Sequence, residues 1–166
     1  MAFRFAIVCL ALAMPLAQGY SAGAPKEVCE SLLPQHPYKP QSSPAPYALH
    51  VSAKQAKAGE FIEIKLQGKS AQDTIKGFIV QGRLGDEPVG TFDVSGSSQL
   101  AQTINCGSGN ANAATHKKHD GADAQVISLK WSPPAGVSGV VKFKATVLLD
   151  GATFWVGLQS NEVRIN

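Results

Sequence analysis

Val141-Lys142-Phe143-Lys144-Ala145-Thr146-Val147-Leu148-Leu149 is the stretch on which the fold turns. Val141, Phe143, Ala145, Val147 and Leu149 are apolar, and Lys142, Lys144 and Thr146 stand between them. A period of two sends alternate side chains to opposite faces, so this is a strand with one face on a core and one in water. Asp150-Gly151 follows as a hairpin-type turn, and residues 154–158 and 162–165 continue the β pattern. Upstream, Ile127, Leu129 and Trp131 alternate with Ser128 and Lys130, before Pro133-Pro134-Ala135-Gly136 breaks the chain.

The same period recurs nearer the N-terminus. Tyr47, Leu49, Val51 and Ala53 form one apolar row, and Ile62, Ile64 and Leu66 another, with Lys57-Ala58-Gly59-Glu60 as the turn between them. Residues 77–84 carry Phe78, Val80 and Leu84 against Gln81 and Arg83, and end at the turn Gly85-Asp86-Glu87-Pro88. Residues 89–94 and 99–104 are two shorter strands. Eight or nine strands at this spacing predict an all-β, two-sheet antiparallel sandwich. No helical period of ten or more residues occurs after the N-terminal segment.

Composition agrees. The chain has 166 residues, 44% of them hydrophobic and 16% charged, with 16 Gly and 10 Pro. That length suits one domain, and the breakers suit short elements joined by turns. A net charge of +3 excludes an obvious polybasic nucleic-acid binder, and no nucleic acid partner is expected.

Residues 1–19 read as a secretory signal peptide. Arg4 precedes an apolar run over residues 5–16, and Ala17-Gln18-Gly19 offers small residues for cleavage before Tyr20. The run is too short to span a bilayer, so a secreted, extracellular protein that is not membrane-spanning is expected. Cys9 would leave with the leader. Cys29 and Cys106 would remain and, in an oxidising compartment, most simply pair. Residues 20–166 are then one domain: a proline-rich arm over 20–46, held to the body by Cys29, and a sandwich over 47–166. Residues 106–121 keep no hydrophobic period and read as a long loop, a feature that in compact domains is usually functional or mobile.

An ordered set of strings runs along the chain: Gly23-Ala24-Pro25 followed by Cys29, Leu33-Pro34-Gln35-His36, Lys76-Gly77-Phe78-Ile79-Val80-Gln81-Gly82-Arg83, and Thr115-His116. Trp131-Ser132-Pro133-Pro134, Gly139-Val140-Val141-Lys142-Phe143-Lys144-Ala145-Thr146 and Thr153-Phe154-Trp155-Val156-Gly157-Leu158 complete it. In order and spacing it resembles a reeler domain over nearly all of the chain after residue 19. The resemblance implies an immunoglobulin-like β-sandwich and a Cys29–Cys106 disulfide. A signal peptide and a lone reeler domain resemble small secreted insect defence proteins. These are associated with innate immunity, antibacterial response, haemocyte nodulation and binding of bacterial surface molecules. The resemblance carries no catalytic residues.

The residues offer few sites of their own. His116-Lys117-Lys118-His119-Asp120 places two imidazoles and a carboxylate close in sequence, a weak metal set without a third fixed ligand. No serine sits in a nucleophile elbow, so no enzymatic activity and no cofactor are expected. Lys130, Lys142 and Lys144 lie on polar strand faces and Lys117 and Lys118 on the long loop. Were the strands of Lys130 and Lys142 neighbours, these lysines would form a cationic stripe for the phosphates of lipopolysaccharide or teichoic acid. Host blood cells are a further expected partner. The competing expectations are an adhesion or matrix module for a host protein and a metal-associated accessory domain. Trp131 and Phe143 fall on apolar phases and belong to the core. Of the adjacent Phe154 and Trp155, one is expected to be exposed. Gln81 and Arg83 share a face that is either surface or a buried hydrogen-bonding corner.

Overall fold

The computed structural model describes residues 20–166. The expected signal peptide over residues 1–19, with Cys9, lies outside them. Among the described residues eleven strands run in chain order: β1 (Tyr47–Val51), β2 (Gln55–Ala56), β3 (Ile62–Gly68), β4 (Gly77–Leu84), β5 (Glu87–Pro88) and β6 (Thr91–Asp93). They continue as β7 (Ala101–Ile104), β8 (Ala113–His116), β9 (Val126–Ser132), β10 (Gly139–Leu148) and β11 (Phe154–Ile165). Strands β1-β3-β9-β6 form one sheet; β2-β11-β10-β4-β8-β7 form the other, with β5 against β4.

The two inner faces meet as the alternation predicts. Leu49, Ile64, Leu66, Ile127, Leu129 and Trp131 from the smaller sheet pack on Phe78, Val80, Val141, Phe143, Ala145 and Val147 from the larger. Trp131 is fully buried, stands edge-on to Phe143 at 5.1 Å, and donates its indole N–H to the Val89 carbonyl at 2.9 Å. The core therefore seats its largest side chain without leaving its one polar atom unpaired.

Four expectations are corrected. Residues 106–121 are not all loop: Ala113–His116 forms β8, paired on both sides by β4 and β7. Its small, buried side chains give no hydrophobic period to read. Residues 154–158 and 162–165 are one strand, because two irregularities in the β10–β11 pairing absorb the break in phase. The sandwich is not purely antiparallel, since β2 pairs with β11 in parallel. Finally, neither Phe154 nor Trp155 is exposed. Trp155 enters the core against Tyr47, and Phe154 points to the opposite face of the sheet, where His36 of the arm covers it.

That covering explains the unusual burial of β4, in which every residue from Gly77 to Arg83 is buried. An antiparallel sheet commonly has one wet face. Here residues 20–36 cross part of the outer face of the larger sheet and bury that part a second time. The arm has little regular structure of its own, only a 3-10 turn at Lys26–Val28 and a Leu32 N–H to Val28 carbonyl bond of 2.7 Å. Its prolines withhold backbone donors, so side chains of the sheet must bond the carbonyls that the arm exposes.

Candidate functional site

The arm is fastened at several points. Cys29 and Cys106 form a disulfide, Cα to Cα 5.6 Å, across 77 residues of sequence. Asn112 aligns its sulfur-bearing partner: its Oδ1 accepts from the Cys106 N–H at 2.7 Å and its Nδ2 donates to the Cys106 carbonyl at 3.0 Å. Gln81 and Arg83 form a buried corner. Arg83 Nη2 donates to the carbonyls of Cys29 and Glu30, both at 2.7 Å, and Nε donates to Gln81 Oε1 at 2.9 Å. Gln81 Nε2 in turn donates to the Cys29 carbonyl at 3.0 Å. Thr146 Oγ1 donates to the Leu32 carbonyl at 2.6 Å, and Thr115 Oγ1 accepts from the Ala24 N–H at 2.9 Å. Gln102 Nε2 donates to the Ala22 carbonyl.

Between these fastenings Val28 and Leu32 pack on Ile79, with Ala24 and Ile104 beside them, as a second small core outside the sandwich. Leu32 holds a left-handed φ of 56°. That conformation costs about 1–2 kcal/mol for a residue with a Cβ, and the burial of its side chain together with the Thr146 bond offsets it.

One end of this layer is not filled. A cavity of about 470 Å³ lies between the arm and the sheet. Val28, Leu32, Pro25 and Ala24 of the arm line one side, and Ile79, Leu148 and Thr146 of β4 and β10 the other. Its mouth is formed by Tyr20, His36, Lys76, His116, Lys117, Lys118 and His119, with Asp123 and Asp150. Its volume lies within the range of small-molecule pockets, roughly 300–1,000 Å³.

The candidate residues fall as follows. Lys117 and Lys118 are exposed at the cavity mouth, just past β8. Lys117 Nζ donates to the Ser98 carbonyl at 3.2 Å. Lys142 and Lys144 project from the outer face of the larger sheet, but each has a carboxylate: Glu162 at 3.1 Å and Asp86 at 3.4 Å. Lys130 belongs to β9 in the other sheet, opposite Glu63 and Asp93 in register. β9 and β10 are not neighbours, so the stripe that would unite Lys130 with Lys142 and Lys144 does not form. Alternation along a strand assigns a residue to a face, but not to one sheet of the two.

The metal set also disperses. His116 Nε2 meets the Tyr20 carbonyl at 2.9 Å, an acceptor only, so Nε2 carries a proton; Nδ1 then accepts from the Phe78 N–H at 3.3 Å. His119 turns to Asp123 at 3.3 Å rather than to Asp120, which is exposed. Among the described residues no three His, Cys, Asp or Glu side chains converge in a metal-binding geometry. Nothing in the sequence marked Lys76 or His36 as rim residues. Val28 and Leu32, four apart and with Leu33 the arm's three large aliphatic residues, were the available sign of an apolar layer beneath it.

A reeler domain model matches residues 27–166. The chain belongs to the reeler family. This reeler chain is 43% identical over 159 residues to the "Putative defense protein Hdd11" of Hyphantria cunea, covering 95% of this chain and 96% of that one. It is 38% identical over 161 residues to a "Putative defense protein" of Bombyx mori, covering 96% and 94%. The Drosophila melanogaster "Defense protein l(2)34Fc" is 34% identical over 165 residues, covering 98% and 99%. Among solved structures, the Reelin-N domain of F-spondin superposes with a TM-score of 0.61 at 18% identity, covering 84% of this chain and 96% of that one. A human F-spondin reeler domain superposes with a TM-score of 0.58 at 18% identity, covering 78% and 94%. At that identity they speak to the fold alone, a two-sheet sandwich. No helix among the described residues is long and apolar enough to cross a membrane.

Proposed function

We propose that this protein is a secreted, non-enzymatic component of innate defence that attaches to anionic bacterial surface molecules, lipopolysaccharide or teichoic acid. Attachment promotes antibacterial response or haemocyte nodulation. The observation that carries the reading is the set of exposed lysines Lys76, Lys117 and Lys118 lining the same cavity. No carboxylate ion-pairs with these three ammonium groups within 4.0 Å among the described residues, whereas Lys142 and Lys144 each have one. Lys117 donates to a neutral carbonyl, which leaves its charge uncompensated, and Lys76 feels Asp150 only beyond ion-pair distance, so the field of these cations still reaches an approaching phosphate. The defence-protein names of the full-length relatives support the same reading.

The test is capture of the secreted protein by intact bacteria, by lipopolysaccharide and by host blood cells, each across a salt series. Retention on bacteria that weakens with salt, and further with K117E/K118E, is expected. Capture by blood cells alone would favour a host adhesion module instead.

A further inference from the structure

We infer that the cavity beneath the arm is a binding site for the hydrocarbon chain of a single-chain anionic amphiphile, a long-chain carboxylate or a monoalkyl phosphate, whose head group rests on Lys76, Lys117 and Lys118. The two parts of the site differ in chemistry. The interior is mainly apolar: the packed Val28, Leu32 and Ile79 close its floor with little exposed area, and the half-buried Ala24, Pro25 and Pro34 of the arm and Leu148 of the sheet supply its accessible walls. Polar groups that edge it are already bonded: Thr146 to the Leu32 carbonyl, and His116 to Tyr20 and Phe78. The interior therefore offers a ligand contact area and few hydrogen bonds, which suits alkyl groups and not sugars or peptides.

The mouth has the opposite character. Both of its carboxylates are engaged within the protein. Asp123 faces His119 at 3.3 Å, and Asp150 accepts the backbone N–H groups of Ala152 and Thr153, both at 2.8 Å. Lys117 also donates to the Ser98 carbonyl at 3.2 Å and the charge of Lys76 acts on Asp150, yet three ammonium groups stand against two carboxylates, so the rim keeps a net positive charge for an external anion. An apolar interior with a cationic rim complements a molecule that is hydrocarbon at one end and anionic at the other. The disulfide and the Arg83 corner hold the arm in place before any ligand arrives, so little ordering has to accompany binding.

This inference goes beyond attachment to bacteria and does not rest on it. Bacterial capture can fail while the amphiphile binds, and the reverse, so one experiment separates them. Protein recovered from the medium of cells expressing the full chain is titrated calorimetrically with saturated fatty acids of eight to sixteen carbons, below their micelle concentrations. Dodecyl phosphate and dodecanol are run in parallel. Saturable one-to-one binding is expected, strengthening by about fourfold per added methylene until the cavity is full. Dodecyl phosphate should bind like the carboxylates, and dodecanol at least tenfold more weakly.

Leu148→Trp fills the cavity from the sheet side and should abolish binding. Ser21→Trp, at an exposed arm position, should obstruct the mouth without touching either core. K76E/K117E/K118E should weaken the acids at least tenfold and leave dodecanol unchanged. Absence of saturable binding, affinity independent of chain length, or wild-type binding in folded L148W and S21W would overturn the proposal. Binding only to phosphatidylglycerol vesicles would do so too, since it would leave surface electrostatics alone.

Discussion

Trp131 shows how a single residue constrains its neighbours. Its indole fills the space beside Gly82 and Gly90: a Cβ on Gly90 would come within 2.3 Å of the ring. Gly90 also holds a φ of +77°, as Gly85 holds +64°, but nothing lies within 4 Å of a Cβ at Gly85. The pair separates strain from crowding. G85A should lose about 1 kcal/mol from backbone strain alone, and G90A about 2–4 kcal/mol once overpacking is added, both read from urea denaturation. Tyr47 gives a pH test. Burial, and then the charges of Asp73 and Asp150, push its phenol up to about 12 from 10.0, and its hydroxyl donates to the Thr74 carbonyl at 2.7 Å. The unfolded chain loses this proton near pH 10 and the folded chain only near 12. Between those values the folded state binds more protons, so stability falls as pH rises. Tyr47→Phe should flatten that part of the stability profile.

At the scale of elements, the arm is the unit that departs most from a simple sandwich. Its attachment relies on sheet side chains rather than on a ladder, so it can open separately from the strands. Arg83→Met removes the guanidinium bonds to the part-buried Cys29 and Glu30 carbonyls and to Gln81, and should cost about 2 kcal/mol. Hydrogen exchange should show faster exchange at the Cys29 and Leu32 amides, with Leu129 in β9 unchanged; uniform acceleration would mean that arm and sandwich open together. C29S/C106S removes a closure over 77 residues and should cost up to about 4 kcal/mol on the chain-entropy estimate. The arm also shows what could be read in advance. Its proline content and its tether at Cys29 were legible. The face it covers was not, because Gln81 and Arg83 look like ordinary outward-facing polar residues until something lies on top of them.

For the whole molecule, a net charge of +3 matters less than its distribution. Lys65, Lys142 and Lys144 have carboxylates within 4 Å, and Lys130 stands on the sheet remote from the arm. Charge reversal at Lys130 should therefore leave bacterial capture within twofold of wild type, whereas K117E/K118E should reduce it several-fold at low salt and little at high salt. A pulldown across both variants checks this. Equal losses would mean that total charge governs attachment, whatever its location.

The all-β, two-sheet class was legible in the sequence, because the alternation in residues 47–53, 62–66, 127–131 and 141–149 buries one face of each segment and wets the other. The sequence also carried the family, through strings whose order spans the chain. Local patterns fail where burial has a non-local cause. Ala113–His116 is a strand because β4 and β7 flank it, and Phe154 is buried because the arm crosses its face. Which lysines share a surface follows from strand order alone. Period two assigns a side chain to one of two faces, while strand order, set by pairing between distant segments, assigns that face to a sheet. The cavity belongs to the same class of feature. It exists between lining residues of the arm and of the sheet at least forty apart in sequence, and neither segment alone contains it.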